Sequence, residues 1–448
     1  MKIKNITVLL LVFIISGFTG AGAAELGDIS IHGFISQGYI GTSDNNFMGN
    51  TEDGTFEFNE FGINFGKELN DNLRVGLQLF SRDLGNYGNN EVTLDWAYGD
   101  YHWKDWLGVR VGKIKTPHGL YNETRDVDML RNWIFLPQSV YPEIERDAAL
   151  ALMGFGIYGN AYLGSFGTIS YQALAGTQNI DANEALAQSL MGVFIFDPYV
   201  QAQEIDVDKK YALSLTYGTP LEGLRIGATL QYSEINLVSA FDYPAGEGFY
   251  GEFGIIADPY GGKYLSDLES ESYVVSAEYT WNNLLVVAEY SWSNRDLGIG
   301  TLNEYPLDIE IPDFSTEDPN DTIPWAGYTA GTPTTFKTEG WYVGATYRFT
   351  DWFELGSYYS EYYPNRNDKD GTTPDALGRY VDPQYRAWNK DICLTTRFDI
   401  NEFWTVKLEG HMVEGVALLP LTENMDMDSQ HTFIEDWEMY AAKVTYSF

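Results

Sequence analysis

Cysteine and basic residues are scarce in this sequence of 448 residues, and each scarcity excludes a class of protein. The single cysteine, Cys393, rules out a framework of intramolecular disulfides. Only 27 lysines and arginines stand against 64 aspartates and glutamates, which gives a formal net charge of −37. Such a negative field repels phosphate backbones, so we expect no binding of DNA or RNA. The acidic excess fits either Ca²⁺ binding or plain solubility.

Long hydrophobic runs are almost absent as well. The mean hydropathy of −0.25 excludes a polytopic helical membrane protein. The one long apolar run covers residues 6–20; Lys2 and Lys4 precede it, and small residues at 21–24 follow it. A charged start, a short apolar middle and a small-residue end are typical of a secretory signal peptide. We therefore predict that residues 1–24 are a cleaved signal peptide and that residues 25–448 form one mature domain.

Motifs for catalysis are missing too. No G-x-S-x-G nucleophile elbow and no nucleotide-binding glycine loop is present. The histidines do not stand in a metal-binding spacing such as H-x-x-x-H; they are His32, His102, His118, His411 and His431. The sequence therefore predicts no enzyme, no cofactor and no metal ion.

What the sequence does contain is a repeated alternation of apolar and polar residues. In residues 223–233, apolar side chains from Leu224 to Tyr232 take the even positions, and polar or small residues from Arg225 to Ser233 take the odd ones. Period-two alternation indicates a half-buried β-strand. About sixteen such segments follow one another, an even number, as single-chain bacterial barrels have. They lie near 28–41, 54–67, 71–82, 91–103, 106–116, 148–159, 166–177, 209–218, 223–237, 270–281, 283–294, 338–349, 352–363, 387–399, 403–415 and 433–448.

The connections between these segments alternate between short and long. Short connections fall near 68–70, 219–222, 282, 350–351 and 400–402. Long ones fall near 117–147, 178–208, 238–269, 295–337, 364–386 and 416–432. Connections that long are uncommon in a compact soluble domain, but outer-membrane barrels combine tight periplasmic turns with long extracellular loops.

A soluble β-sandwich would alternate in the same way, so the composition of each face has to decide between the two folds. The polar faces are rich in glycine, serine, threonine and arginine, as a wet lumen would be. The apolar faces end in aromatic residues such as Tyr217, Trp281 and Phe349, where a girdle at the membrane interface belongs. We predict an all-β, transmembrane antiparallel β-barrel of about sixteen strands with short periplasmic turns and long extracellular loops.

One stretch joins a predicted strand to a loop of mixed charge. Residues 107–112 alternate, and Pro117 and Gly119 then end the strand, because proline cannot donate to a sheet and glycine adopts turn geometry. We predict that the loop 117–147 folds inward and narrows the pore. The alternative is an ordinary surface loop.

The end of the chain carries a second signature. In residues 440–448, apolar side chains ending in Tyr446 and Phe448 would face lipid, while Lys443 and Thr445 would face the lumen. The sequence here resembles the Gram-negative outer-membrane porins, which end in a strand that closes on phenylalanine with an aromatic residue two positions earlier. Residues 111–119 resemble the junction between strand and constriction loop in porins, including the phosphate-selective porin group.

The resemblance implies several further properties. It implies that the third extracellular loop, here 117–147, enters the barrel. It implies recognition of the last strand, ending at Phe448, by the barrel-assembly machinery. It also implies a homotrimer in the outer membrane, surrounded by outer-membrane lipid.

The alternation predicts which charged residues line the lumen. The wall cations would be Arg74, Arg82, Arg110, Arg225, Arg348, Arg397, Lys407 and Lys443, and the wall anions Asp95, Glu278, Glu289, Glu354 and Glu409. The candidate constriction and lumen residues are Arg74, Arg82, Arg110, Lys113, Lys115, Glu123, Arg125, Asp126, Asp128 and Arg131. A basic arc facing acidic loop residues would create a transverse field. Alternatively, these charges pair with one another.

We therefore predict a water-filled channel for passive diffusion of ions and small hydrophilic solutes. Acidic stretches near 179–208 and 296–336 would concentrate cations at the mouth, so we expect a weak cation preference. One alternative is a substrate-specific channel for a small anionic solute with a basic site at the constriction. Another is a structural or adhesive barrel that does not conduct.

Overall fold

The computed structural model describes residues 29–180, 200–243, 260–302, 310–312, 322–324, 334–374, 381–420, 423–424 and 433–448. The predicted signal peptide, His431 and parts of the predicted long loops lie outside these residues. In the described part of the chain, no helix is long and apolar enough to cross a membrane.

Sixteen antiparallel strands close into one barrel, which confirms the predicted all-β class and strand number. They are β1 Ile29–Thr42, β2 Phe58–Asn70, β3 Leu73–Leu84, β4 Thr93–Lys104, β5 Leu107–Lys115, β6 Ala151–Tyr162, β7 Thr168–Ile180, β8 Val200–Gly218, β9 Leu224–Tyr243, β10 Tyr260–Trp281, β11 Leu284–Leu302, β12 Thr334–Thr350, β13 Phe353–Tyr363, β14 Asn389–Asp399, β15 Trp404–Glu414 and β16 Asp436–Ser447. Two short strands, Glu310–Pro312 and Thr322–Pro324, pair with each other in a separate two-stranded sheet.

Among the residues that the structure describes, helical structure is short. The 3₁₀ turns are Asp128–Leu130, Glu143–Glu145, Gly164–Phe166 and Gln384–Ala387, and one short α-helix, α1, covers Arg146–Leu150. Strands β10 and β11 join through two asparagines, of which Asn282 has a φ of +50°. Asparagine tolerates this left-handed conformation, which a two-residue hairpin turn requires.

The barrel closes between its first and last strands. Strand β16 pairs with β1, and the register sets Ser447 opposite Phe34. The amide of Phe448 donates to the carbonyl of Gly33, and the amide of Gly33 donates to the carbonyl of Phe448, each at 3.0 Å. None of the sixteen barrel strands therefore has an unpaired edge, which is what a sheet surrounded by lipid requires.

The two faces of the wall differ as the alternation predicts. On β16, Tyr440 is 48% exposed on the outer surface, whereas Lys443 is 2% exposed and Thr445 is fully buried on the inner surface. Large apolar side chains such as Val111 and Phe155 are exposed on the outside of other strands. An apolar outer surface and a polar inner surface are the arrangement that a bilayer demands.

Aromatic side chains form two bands on the outer surface. At the end with the short turns, here called the turn end, Trp103, Trp281 and Trp352 are exposed. Toward the other end, the loop end, rings of adjacent strands stack; one example is Tyr273 on Trp292, with ring centroids 5.1 Å apart. Paired aromatic belts mark the two interfaces of a membrane, so the wall between them spans the bilayer.

One side of the wall is much taller than the rest. Strand β10 has 22 residues and β9 has 20, whereas β5 has 9. A membrane strand needs only about 9–11 residues, and β10 tilted by about 45° would rise roughly 50 Å. The upper part of β8–β11 therefore stands above the membrane.

The tall wall corrects the prediction of long loops at 178–208, 238–269 and 295–337, because part of each range is strand. Above the membrane, outward positions are occupied by charged residues such as Glu234, Glu269 and Glu271. With polar residues outside, the apolar alternation that indicates a membrane strand disappears.

Candidate functional site

The segment between β5 and β6, residues 116–150, is called the inner loop because it lies inside the barrel. Its backbone and side chains bond to widely separated strands. Gly119 donates to Thr229 of β9 at 3.0 Å, and Ser139 donates to the carbonyl of Trp341 of β12 at 3.1 Å. The loop predicted at 117–147 therefore does fold inward. Three buried carboxylates hold it there, two from the wall and one from the loop itself.

The first anchor is Glu289 of β11. Its carboxylate accepts hydrogen bonds from the amide of Leu120 at 2.9 Å and from the hydroxyl of Tyr141 at 2.5 Å, both in the inner loop. Ser276 and Tyr342 of the wall donate to the same carboxylate at 2.5 and 2.7 Å. Four donors satisfy this buried carboxylate, which offsets the desolvation that burial imposes.

The second anchor is Glu409 of β15. It accepts from the amides of Ile134 and Phe135 of the inner loop at 2.8 and 3.0 Å. His411 contacts Glu409 through Nε2 at 3.1 Å and Asp391 through Nδ1 at 3.0 Å. An imidazole that donates from both nitrogens is protonated, so we assign His411 as an imidazolium between two carboxylates.

Cys393 adjoins this second anchor. The ligand atoms of Cys393, Glu409 and His411 lie within 4.8 Å of one another, a spacing that could hold a metal ion. However, both nitrogens of His411 and both oxygens of Glu409 already make hydrogen bonds to protein groups. A metal would have to displace those bonds, so the geometry fits an ion-pair anchor better than a metal centre.

The third anchor is Asp128, in the first 3₁₀ turn of the inner loop. Its carboxylate lies 3.0 Å from Nζ of Lys407 and 3.4 Å from Nζ of Lys443, and Thr445 donates to it at 2.8 Å. Burial alone would raise the pKa of Asp128, but the charges of Lys407, Lys443 and Arg131 hold that pKa well below its ordinary value. Asp128 is therefore ionised and pairs with lysines that are themselves buried.

A further ion-pair network fixes the two ends of the inner loop to β3–β5. Asp126 pairs with Lys115 at 2.5 Å and also with Arg146, which reaches Asp95 of β4 at 3.4 Å. Burial would raise the pKa of Asp126, but Arg146 and Lys115 lower it far more.

Arg82 of β3 joins this network through Glu143. The guanidinium of Arg82 lies 3.2 Å from Glu143 and 2.8 Å from Asp147, and Arg125 lies 2.8 Å from Glu143. Burial opposes ionisation of Glu143, yet Arg125 and Arg82 lower its pKa to about 2.

The structure thus brings together six of the ten candidate residues in close ion pairs. They are Arg82, Lys115, Arg125, Asp126, Asp128 and Arg131. Among the described residues, these acids and bases are in contact rather than facing each other across an open gap. These residues therefore do not form separate basic and acidic arcs with a transverse field between them. They form the alternative arrangement, in which the charges pair with one another.

The other four candidates lie elsewhere. Arg74 and Arg110 pair with Asp100 of β4 at 2.9 and 3.2 Å, near the turn end. Glu123 is exposed in the inner loop, and its carbonyl accepts from Lys115 at 3.1 Å.

The prediction that Lys113 lines the lumen is wrong. Its register partner on β6 is Met153, which is 41% exposed on the outer surface. Arg110 and Ile114 point inward at even positions of β5, so the two-residue period turns Lys113 outward. Its ammonium group donates to the carbonyl of Leu94 at 2.7 Å.

Above the inner loop, on its loop-end side, the lumen contains a cavity of about 540 Å³. Six wall hydroxyls face it: Ser233, Ser270, Ser272, Ser291, Ser293 and Thr338. Its described lining also includes four cationic side chains and one carboxylate: Arg125, Lys210, Arg295, Arg386 and Glu145. His118 lines it too, and burial lowers the pKa of His118 to about 4, so this imidazole is neutral at pH 7.

Sequence reasoning missed this cavity. Its six wall hydroxyls lie in predicted strands, but local alternation does not show which residues of neighbouring strands stand side by side or where the inner loop leaves space. A signal was present. Serines recur at alternate positions, Ser270 with Ser272 and Ser291 with Ser293, on strands that pair directly. A two-residue serine repeat on adjacent strands predicts a hydroxyl-bearing patch on one face of a sheet.

No known protein family matches the sequence, and a comparison with curated protein sequences finds no relative. Solved structures do match over nearly the whole chain. Outer-membrane expressed OmpT of Vibrio cholerae is 12% identical with a TM-score of 0.52, covering 94% of this chain and 97% of that one. OmpF of Salmonella typhi, in complex with daunomycin, is 12% identical with a TM-score of 0.50, covering 94% of this chain and 98% of that one.

At such identities the likeness concerns the fold alone. The structure of this chain itself shows a closed barrel of sixteen strands, an apolar outer surface between two aromatic bands, and an inner loop after the fifth strand. The chain therefore has the fold of a Gram-negative outer-membrane porin.

Proposed function

We propose that this protein forms a water-filled channel in the outer membrane for passive diffusion of ions and small hydrophilic solutes. The observation that carries the proposal is the hydroxyl-lined cavity inside a closed sixteen-stranded barrel. Barrels of about sixteen strands leave an aqueous lumen, whereas eight strands are filled by their own side chains. The inner loop is the constriction, and permeation is set by the space beside it.

We further propose a weak preference for cations. The whole chain carries −37, and most of the charged outward side chains of the tall wall are acidic. On that wall the acidic residues are Glu204, Asp206, Asp208, Glu234, Asp267, Glu269, Glu271 and Asp296, against Lys209 and Lys263. Such a rim raises the local concentration of cations, although salt screens its field beyond about 10 Å at 0.1 M.

The decisive test is the reversal potential of the refolded protein in a planar bilayer under a KCl gradient. A cation-selective potential with conductance that rises linearly with salt supports the general channel. Glu269→Gln with Glu271→Gln should reduce the selectivity, while Glu222→Gln, in the exposed turn between β8 and β9, should leave it unchanged. A channel that shows no conductance at all would instead favour a structural or adhesive barrel.

A second candidate is a channel specific for a small anionic solute. It is favoured by the charge of the cavity, whose described lining has four cationic side chains and one carboxylate. A specific channel differs from a general one by saturation: its solute flux levels off as the concentration rises. Anion-selective or saturating conductance would favour this candidate over the first.

We extend the proposal to the export and assembly of the protein. The signal peptide 1–24 would direct export, and the last strand, ending at Phe448, would be read by the barrel-assembly machinery. The channel would be a homotrimer with no catalytic activity. If the unheated protein migrates in SDS gels as a species of three times the monomer mass, the trimer is supported. If it migrates as a monomer both in these gels and in native gels with a mild detergent, the trimer is contradicted.

A further inference from the structure

We propose that the cavity above the inner loop binds a small anion that carries several hydroxyl groups, the chemistry of a sugar acid or a sugar phosphate. The proposal deepens the proposed function and rests on it, since a solute reaches the cavity through the channel. Three features of the described residues carry it: the spacing of the wall hydroxyls, the sign of the charges around them, and the size of the cavity.

The first feature is a row of side chains set by strand register. Lys210 pairs with Ser233, Ser233 with Ser270, and Ser270 with Arg295, so these four residues cross β8–β11 at one height. All four line the cavity. Neighbouring strands lie about 4.8 Å apart, so two hydroxyls stand between a lysine and an arginine that are roughly 14 Å apart along the wall.

A second row runs directly below the first. Gln231 pairs with Ser272, Ser272 with Ser293, and Ser293 with Thr338. Ser293 and Thr338 are already hydrogen-bonded to each other at 2.6 Å, which fixes their orientation. The two rows are about 7 Å apart, two residues along a strand. Together they form a grid of donors and acceptors that is large enough for one or two sugar rings.

The second feature is the charge. Four basic side chains and one carboxylate line the described part of the cavity, although the whole chain carries −37. Two of the four are already paired, Arg125 with Glu143 and Arg295 with Glu145. The carboxylate, Glu145, is held by Arg295 through two bonds of 2.7 and 2.8 Å. This fork shows that Arg295, at the end of the first row, is already paired, so the acid group of a ligand must meet another basic side chain.

Arg386 adds a positive charge from the loop before β14. Its guanidinium donates to the carbonyl of Asp382 at 3.1 Å, and in the described part of the chain it makes no ion pair with a carboxylate. It thus remains able to bind an acid group of a ligand. A planar guanidinium binds a carboxylate or a phosphate through two parallel hydrogen bonds.

The third feature is size. A cavity of about 540 Å³ falls in the range of small-molecule sites and accommodates a solute of one or two sugar rings. A simple inorganic anion would leave the hydroxyl grid unused, and a neutral sugar would leave the cations unused. A polyhydroxylated anion engages both.

The experiment measures block of the K⁺ current through the wild-type protein in planar bilayers. Glucuronate and glucose 6-phosphate are added as test anions, and glucose, acetate and inorganic phosphate as controls that carry only one of the two features. We expect a saturable decrease with a sugar anion and at least tenfold weaker block by each control. The sugar anion that blocks more strongly identifies the acid group.

Variants locate the site. Arg386→Gln should weaken the block about tenfold because it removes one charge-assisted contact. Ser270→Ala with Ser272→Ala should weaken it severalfold. The matched control is Lys209→Gln, which removes one positive charge beside Lys210 but on the outer face; it should leave both conductance and block unchanged.

The failures of the two proposals are distinguishable. A conducting channel that neither sugar anion blocks overturns this inference and leaves the proposed function standing. Equal block by acetate or by glucose overturns it as well. If the protein does not conduct, the proposed function fails, and titration calorimetry of the protein in detergent with the same five solutes decides whether the cavity binds a sugar anion.

Discussion

The inner loop covers one side of the lumen and leaves another side open. On the sealed side, formed by β13–β16 with β1 and β2, loop residues cover the wall. Trp133 packs on Tyr358 with ring centroids 5.9 Å apart, and Phe135 stacks on Phe58 at 5.3 Å. On the open side, the upper part of β8–β12, wall hydroxyls face a cavity. Both sides have inward-facing polar residues, but on the sealed side protein groups satisfy them.

The comparison shows that an inward-facing residue is not necessarily a pore-lining one. Glu289 and Glu409 face inward as the alternation predicts, yet the inner loop buries both. Their carboxylates are saturated by loop amides and hydroxyls, so they hold the loop and do not meet a solute. The following predictions test this division, from the largest expected effect on stability to the smallest.

Removing an anchor of the inner loop on the sealed side should cause the largest loss of stability. Asp128→Ala leaves the buried ammonium group of Lys407 without its carboxylate, and removing one partner of a buried ion pair typically costs about 3–5 kcal/mol. We expect this loss in urea unfolding of the barrel in lipid vesicles, together with a larger and noisier conductance as the loop detaches. Asp71→Ala, at an exposed turn, should change stability by less than about 0.5 kcal/mol. Equal midpoints for the two variants would show that Asp128 does not anchor the loop.

Acid should loosen the ion-pair network around Glu143. The pKa of Glu143 in the folded protein is about 2, below its ordinary 4.5. The folded state therefore binds fewer protons than the unfolded state in this window. The stabilisation, roughly 3 kcal/mol, is complete above pH 4.5 and is lost as the pH falls toward 2.

The measurement is the free energy of unfolding at a series of pH values. Glu143→Gln should be less stable than the wild type at pH 7, and the difference should shrink as the pH falls. A constant difference from pH 7 to pH 2 would mean that ionisation of Glu143 does not stabilise the fold.

Filling the open side should change conductance and leave stability intact. Ser272→Trp places a large ring in the cavity, where no packed neighbour must move, so we expect stability within about 0.5 kcal/mol of the wild type. Single-channel conductance should fall severalfold. The matched substitution on the outer face, Ala277→Trp, should leave conductance unchanged. Strong destabilisation by Ser272→Trp would mean that the cavity is packed.

The last test, thiol accessibility, is expected to have the smallest effect on stability. Cys393 lies on the sealed side and is fully buried, so a charged water-soluble thiosulfonate reagent should not modify the wild-type protein. Ser270→Cys on the open side should react readily, with an added mass visible by mass spectrometry and a reduced current. Labelling of wild-type Cys393 at a similar rate would show that the sealed side is open to solvent.

Much of the barrel could be predicted from local pattern. On β9 and β16 the alternation correctly assigns inward residues such as Thr229 and Lys443, because in a strand the direction of each side chain follows from its position alone. The same rule, applied strictly, also turns Lys113 outward. The tall wall could not be read in this way, because polar residues outside the bilayer remove the apolar face that marks a strand.

The candidate site was only partly predictable for a different reason. The sequence correctly indicates that acidic and basic residues meet near 117–147. It does not indicate that Lys407 pairs with Asp128, 279 residues away, or that Glu409 holds the amides of Ile134 and Phe135. Such contacts depend on the heights of the strands and on the path of the loop, which no local pattern encodes.

The sequence by itself therefore determined the class of fold, the approximate number of strands and the face of the wall on which most residues lie, since period-two alternation is a local property of the backbone. The tertiary structure alone decided which inward charges are covered and which face the cavity. That decision depends on closing the barrel and folding the inner loop across it, and each carboxylate then pairs with whichever donor the register brings within reach.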